Sequence, residues 1–270
     1  MEFFAKSKST NISVYISDSK KGDKTIILLH GYLETIYIWE DFREYLKDYR
    51  TIAIDLPGHW PTSSHPGFNL IELCADFVKD VMEICNVSKA VVAGHSMGGY
   101  VAQMCCKKYP ELFTGLILLN SNTFADSEEK KKDRVKDIIK IEGNALLNIA
   151  SAMIPKMYYS DNLRRCDDII RETIEICETH DPMGIIASIN GLMARSDYND
   201  FIKGYKSPAL FIYGENDPFL SEEKRLEMIN NYPNVEHKTL PKCAHNSFIE
   251  YPELVKNEVV QFMDKFSTNE

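Results

Sequence analysis

The sequence predicts an α/β fold in which a mainly parallel sheet is covered by helices and interrupted by an all-helical insertion. Three observations carry this expectation. Short apolar runs rich in β-branched residues recur along the chain, amphipathic helical stretches separate most of them, and the alternation breaks between about Asn122 and Tyr205. A strand that is apolar on both faces is covered on both, and such strands alternating with helices imply βαβ crossovers. A chain of 270 residues is long enough for one large α/β domain carrying an insertion.

At the N-terminus, Asn11 to Ser17 alternates polar and apolar residues, as edge strands in a hairpin do. After the turn at Lys21-Gly22-Asp23, the run Thr25–Leu29 has the continuous apolar character of a buried strand, and similar runs stand at Thr51–Ile54, Ala90–Ala93, Leu116–Leu119 and Ala209–Tyr213. A further strand is predicted at Val235–Leu240. Helical periodicity covers Ile38–Leu46, Leu70–Cys85, Met97–Tyr109 and Pro252–Phe266, with Pro110 stopping the third. Residues 122–205 show several helical patterns and no convincing strand, and a stretch of about 80 residues is too long for a simple loop. It is therefore expected to be a helical cap subdomain inserted into a core domain of residues 1–121 and 206–270. The charge run Asp126–Arg134 at its start reads as the solvated face of a helix.

Composition narrows the function. Hydrophobic residues at 44% and charged residues at 26% belong to a globular protein with a sizeable core, and no apolar run reaches the length of a membrane span. No secretory signal pattern opens the chain. The net charge of −9 disfavours nucleic acid, leaving a small neutral or moderately polar molecule as the expected partner. Seven scattered cysteines suggest free thiols in a reducing cytoplasm, and without CxxC or HExxH motifs neither a metal nor another cofactor is expected. Oligomeric state has no signature.

The strongest chemical signal is Ala93-Gly94-His95-Ser96-Met97-Gly98-Gly99, a G-x-S-x-G pattern between an apolar strand and an amphipathic helix. Holding Ser96 on a sharp strand-to-helix turn requires neighbours almost without side chains, hence Gly94 and Gly98. A serine hydroxyl needs a base, and the base needs an orienting carboxylate. Of the histidines His30, His59, His65, His95, His180, His237 and His245, only His245 falls in a loop after a late strand, at the sheet edge where ligands bind in open α/β folds. His95 adjoins the serine but is expected to point elsewhere, and His237 reads as a surface strand residue. Asp217, in the loop after Ala209–Tyr213, is the expected acid, with Glu215 its local competitor. Asn120-Ser121-Asn122 offers amides in place of a carboxylate. Two backbone N–H groups, from Met97 and from Tyr32 in His30-Gly31-Tyr32, are expected to form an oxyanion hole, with Gly31 permitting close approach and His30 bracing the loop.

Taken in order, His30-Gly31, Asp55-Leu56-Pro57-Gly58-His59, the Gly94–Gly99 elbow, Gly214–Asp217 and His245 resemble the α/β-hydrolase superfamily over essentially the whole chain. The resemblance implies an eight-stranded sheet, a Ser96-Asp217-His245 triad and a cap after the sixth strand. One departure is Trp60-Pro61-Thr62, where members usually continue with Gly-x-Ser. The expected activity is cleavage of a small to medium carboxylic ester through an acyl-enzyme. The alternative is hydrolysis or lysis of a C–C bond with the same triad, for which Arg164, Arg165, Arg171 or Arg195 would have to meet an anionic substrate. A receptor with vestigial hydrolase activity is a third reading. Some of Met153, Ile154, Met157, Tyr158, Tyr159, Met183, Ile185, Ile186 and Met193 are expected to line an apolar acyl pocket.

Overall fold

The apolar runs become neighbouring strands of one eight-stranded sheet in a computed structural model that describes residues 1–64 and 69–265. His65 and the predicted helix end Phe266 lie outside the described residues. The strands are β1 (Glu2–Lys6), β2 (Ser13–Asp18), β3 (Thr25–Leu29), β4 (Arg50–Ile54), β5 (Ala90–His95), β6 (Phe113–Leu119), β7 (Ala209–Gly214) and β8 (Glu236–Leu240), in the spatial order β1-β2-β4-β3-β5-β6-β7-β8. The first two form the expected hairpin and β2 joins β4 antiparallel; every other pairing is parallel. β5 and β7 are buried throughout, whereas β1 and β8 alternate buried-side and exposed residues because each is an edge strand.

Register is what assembles the site. Leu29 pairs with Gly94, Gly94 with Leu118, Leu119 with Ile212, and Gly214 with Leu240, so the C-terminal ends of β3, β5, β6, β7 and β8 finish at one edge. The loops that follow those strands must meet there.

Helices cover both faces. On one side α2 (Ile71–Ile84) and α3 (Met97–Lys108) bury residues such as Phe77, Val81 and Val101 against the sheet. On the other, α1 (Glu40–Glu44) packs with the two C-terminal helices around Trp39, whose ring stacks on Phe248 at 4.3 Å. The predicted helix Ile38–Leu46 is a 3-10 turn, Ile36–Trp39, followed by the short α1; Thr35 starts it by accepting the Tyr37 N–H.

Between β6 and β7 the chain forms α4 (Glu128–Glu142), α5 (Leu146–Met153), α6 (Asp167–Cys177), α7 (Pro182–Ala194) and α8 (Asn199–Gly204), and no strand occurs there among the described residues. Ser127 caps α4 by accepting from the Lys130 N–H, with Glu128 and Glu129 in the first turn opposing the helix dipole. Asp181 caps α7 ahead of Pro182 in its first turn. These helices share a core around Ile141, Ile154, Ile170, Ile185 and Ile189. The chain closes with α9 (Glu222–Asn231), α10 (Ser247–Glu250) and α11 (Pro252–Asp264). All seven cysteines are buried and unpaired. Among the described residues, no helix is long and apolar enough to cross a membrane.

Candidate active site

Ser96 occupies the single position between β5 and α3, with φ 49° and ψ −113°. Positive φ is uncommon for a residue with a Cβ, and it is held here because both neighbours are fixed in regular elements. The glycines are sterically required: a Cβ on Gly94 would lie 2.2 Å from the Gly98 carbonyl oxygen, and one on Gly98 would lie 2.2 Å from that of Leu29. The Ser96 N–H donates to Leu119 O at 3.1 Å, locking the turn to β6. Its hydroxyl has no hydrogen-bond partner among the described residues, and Ser96 lines a cavity that His245 also lines.

His245 and Asp217 meet as expected. Asp217 Oδ2 lies 2.7 Å from His245 Nδ1, and both side chains are buried. An ionised carboxylate only accepts, so Nδ1 carries the hydrogen and the Nε2 lone pair is left for a proton. Asp217 Oδ1 also accepts the Phe219 N–H at 2.9 Å. Glu215, the competitor, is exposed. Asn120 does more than its amide suggested: Nδ2 donates to Asp217 Oδ2 at 3.1 Å and to Ala244 O at 2.8 Å, while Oδ1 accepts the Ser247 N–H at 3.2 Å. It ties the end of β6 to both the acid loop and the histidine loop.

The Gly31-Tyr32 loop owes its orientation to His30. His30 is fully buried; Nδ1 donates to Gly31 O at 2.7 Å and Nε2 accepts the Leu56 N–H at 2.9 Å. Burial lowers its pKa to about 4, so the neutral tautomer these bonds need is the stable one. In a trans peptide C=O and N–H point in opposite directions, so pinning Gly31 O turns the Tyr32 N–H away from His30. Neither that N–H nor the Met97 N–H, at the first position of α3, has an acceptor among the described residues.

Glu34 escaped sequence reasoning. Its carboxylate is buried beneath this loop, with Oε2 accepting the Gly31 N–H at 2.7 Å and contacting His95 Nδ1 at 2.8 Å, while His95 Nε2 donates to His245 O at 3.0 Å. His95 thus points away from Ser96, as expected, and links the Gly31, Ser96 and His245 loops. Burial opposes charge on both groups, yet their mutual attraction and hydrogen bond prevail: the His95 pKa is raised and that of Glu34 lowered. Only the position of an acid three residues after Gly31 hinted at it. His237 lies within the edge strand β8, as expected, half-buried and bonded to the Tyr213 hydroxyl and Tyr232 O.

A family model described as alpha/beta hydrolase fold matches residues 24–143. Along 98% of both chains the fold superposes on an esterase from Thermogutta terrifontis solved with malate bound, with a TM-score of 0.91 and 26% identity. The enol-lactonase of Burkholderia xenovorans LB400 superposes over 97% of this chain and 100% of its own, with a TM-score of 0.87 and 20% identity. The chain has the α/β-hydrolase fold. Among curated relatives, a 2-hydroxy-6-oxononadienedioate/2-hydroxy-6-oxononatrienedioate hydrolase of Burkholderia vietnamiensis is 24% identical over 94% of this chain and 92% of its own. Epoxide hydrolase 4 of Mus musculus is 34% identical over 39% of this chain and 30% of its own.

A cavity of about 460 Å³ lies between the elbow and the helices that separate β6 from β7. Its apolar lining includes Met153, Met157, Leu192 and Phe219. Of the insertion residues proposed for an acyl pocket, only Met153 and Met157 line it; Ile154, Tyr158, Ile185 and Ile186 are buried in the insertion's core, and Met183 is exposed. Most of the charge run is exposed, as a solvated helix face is; Asp126, just before α4, is buried, and Lys130, Asp133 and Arg134 border the cavity. Of the four candidate arginines only Arg195 lines it: Arg165 donates to Glu250 O, and Arg171 pairs with Asp167 and Asp168 in solvent. Trp60 is exposed, its N–H bonded to His180 Nδ1 at 3.0 Å, and does not line the cavity.

Proposed function

We propose that the protein is a serine hydrolase of small to medium carboxylic esters, with Ser96 as nucleophile, His245 as general base and Asp217 as the acid that orients it. The observation that carries this reading is the buried Asp217–His245 hydrogen bond of 2.7 Å on the wall of a cavity that also exposes Ser96. Ser96 Oγ attacks the acyl carbonyl while His245 Nε2 takes its proton, and Asp217 stabilises the resulting imidazolium through Nδ1–H. The oxyanion is held by the Met97 and Tyr32 N–H groups. His245 then protonates the leaving alkoxide, the acyl group remains on Ser96, and water, activated by the same histidine, releases the acid. His30, Gly31, Gly94, His95 and Gly98 support this geometry without touching the ester.

Residues 122–205 act in this scheme as a cap on a core of residues 1–121 and 206–270, so the cap wall selects the acyl group. Seven unpaired cysteines support a cytoplasmic location. The second reading, C–C bond hydrolysis with the same triad, is favoured by the dienedioate hydrolases among the curated relatives.

The test is labelling with a fluorophosphonate together with turnover of p-nitrophenyl butyrate. The native protein should take up one label and turn over the ester, and Ser96→Ala should do neither while melting at nearly the native temperature. Turnover retained by Ser96→Ala refutes the nucleophile, and an unlabelled native protein leaves only the receptor reading.

A further inference from the structure

The cap wall of the cavity contains a buried charge cluster whose geometry bears on which acyl group enters, given the serine-hydrolase reading above. Asp126 stands just before α4 and uses both carboxylate oxygens: Oδ1 holds Arg195 Nη1 at 2.8 Å and Oδ2 holds Arg134 Nε at 2.5 Å. The Asp126 and Arg195 side chains are only 4% and 3% exposed. Arg195 is further restrained by bonds from Nε to Phe124 O at 3.2 Å and from Nη1 to Leu192 O at 2.9 Å, and its guanidinium lies 4.0 Å over the Tyr100 ring. Tyr100 lies in α3 and lines the same cavity as Ser96, so the cluster borders the space that an acyl group attached at Ser96 would enter.

The rest of the wall preserves neutrality. The cationic side chains lining the cavity are Lys130, Arg134, Arg195 and Lys224. The anionic ones are Asp126, Glu129, Asp133 and Asp137. A substrate carboxylate arriving there would have to approach guanidinium groups that Asp126 already engages, and would meet Asp126 itself at close range in a poorly hydrated wall, where like-charge repulsion is strong.

We propose that Asp126 is a specificity-determining residue which, by engaging both Arg134 and Arg195, reserves the site for uncharged acyl groups and excludes anionic ones. The same engagement disfavours the dicarboxylate substrates that C–C cleavage would require. Replacing Asp126 by asparagine leaves two cations beside the acyl chain without a counter-ion and should admit an anionic tail. Replacing Arg134 by glutamine leaves Asp126 paired with Arg195 and should keep anionic tails out.

The experiment compares kcat/KM for p-nitrophenyl butyrate and mono-p-nitrophenyl succinate, esters of similar reach that differ in terminal charge. Native protein should prefer the butyrate by about tenfold or more, Asp126→Asn should narrow that preference to about threefold or less, and Arg134→Gln should keep it at about tenfold or above. A native preference below about threefold overturns the proposal, as does a folded Asp126→Asn variant with an unchanged preference or an Arg134→Gln variant that gains succinate turnover. If Asp126→Asn does not fold, the native protein and Arg134→Gln still decide the matter. Absence of both ester turnover and fluorophosphonate labelling in the native protein would sink the underlying reading as well, whereas turnover without discrimination sinks the Asp126 proposal alone.

Discussion

Replacing Glu34 by leucine should damage this enzyme in a way that depends on pH. In the native fold its Oε2 serves two buried donors, the Gly31 N–H and His95 Nδ1–H. Leucine fills similar volume but leaves both donors unpaired and removes the counter-charge of His95. Stranding one member of a buried ion pair costs about 3–5 kcal/mol. Against a typical total of about 5–15 kcal/mol, that is a large fraction. The pH window follows from the shifts. Glu34 has a lowered pKa in the fold, so its contribution is present above its ordinary value of 4.5 and is lost as pH falls through the folded value. His95 has a raised pKa, so its contribution is complete below its ordinary value of 6.5 and is lost as pH rises through the folded value. The stability deficit should therefore be greatest between 4.5 and 6.5 and shrink on either side. Urea unfolding at a series of pH values measures it. Glutamine at this position keeps an acceptor oxygen but not the charge, and should lose about 1–3 kcal/mol. Because the pair braces the Tyr32 loop, kcat per fluorophosphonate-titrated site should fall by up to about 10²–10³ in the leucine variant, the scale of losing one oxyanion donor. A Glu34→Leu protein within about 0.5 kcal/mol of the native stability across this range would refute the reasoning, since surface substitutions reach that size without breaking anything.

Other consequences can be measured with the same assays. Asp217→Asn should lower kcat by about 10⁴, the scale known for serine proteases, while Glu215→Gln should remain close to native; the opposite ranking would transfer the acid to Glu215. Asn120→Ala removes donors to Asp217 and Ala244 and an acceptor for Ser247, so it should destabilise the fold by about 1–3 kcal/mol and lower kcat more than it raises KM; an unchanged kcat would make Asn120 structural only. His30, with its folded pKa lowered to about 4 from 6.5, binds a proton more readily when unfolded, so its contribution to stability is lost as pH falls from 6.5 towards 4. His30→Gln, which can still donate and accept, should flatten that part of the stability profile, and a profile identical to the native one would contradict the assignment.

Much of the site was legible locally. The elbow is a short-range device: Gly94 and Gly98 are needed because their Cβ atoms would strike backbone within a few residues or on the adjoining strand. Asp217 and His245 were readable because each follows a strand-like run, and parallel strands ending at one edge bring their loops together. Glu34, Asn120 and the burial of Asp126 were not readable. Their roles depend on partners far along the chain: Glu34 meets His95 across 61 residues, Asn120 meets Asp217 across 97, and Asp126 meets Arg195 across the length of the insertion.

What the sequence determined by itself was the order of elements, the fold and the identity of the three residues proposed for catalysis, because periodicity and turn chemistry act over a few residues. Tertiary structure decided which charges face solvent and which are buried. A run such as Asp126–Arg134 has the composition of a solvated helix face, and only the packing of α4 over the elbow turns part of it into a cavity wall. Pairing then decides what a buried charge does: the same Arg195 would invite an anion if left alone, and held by Asp126 it does not.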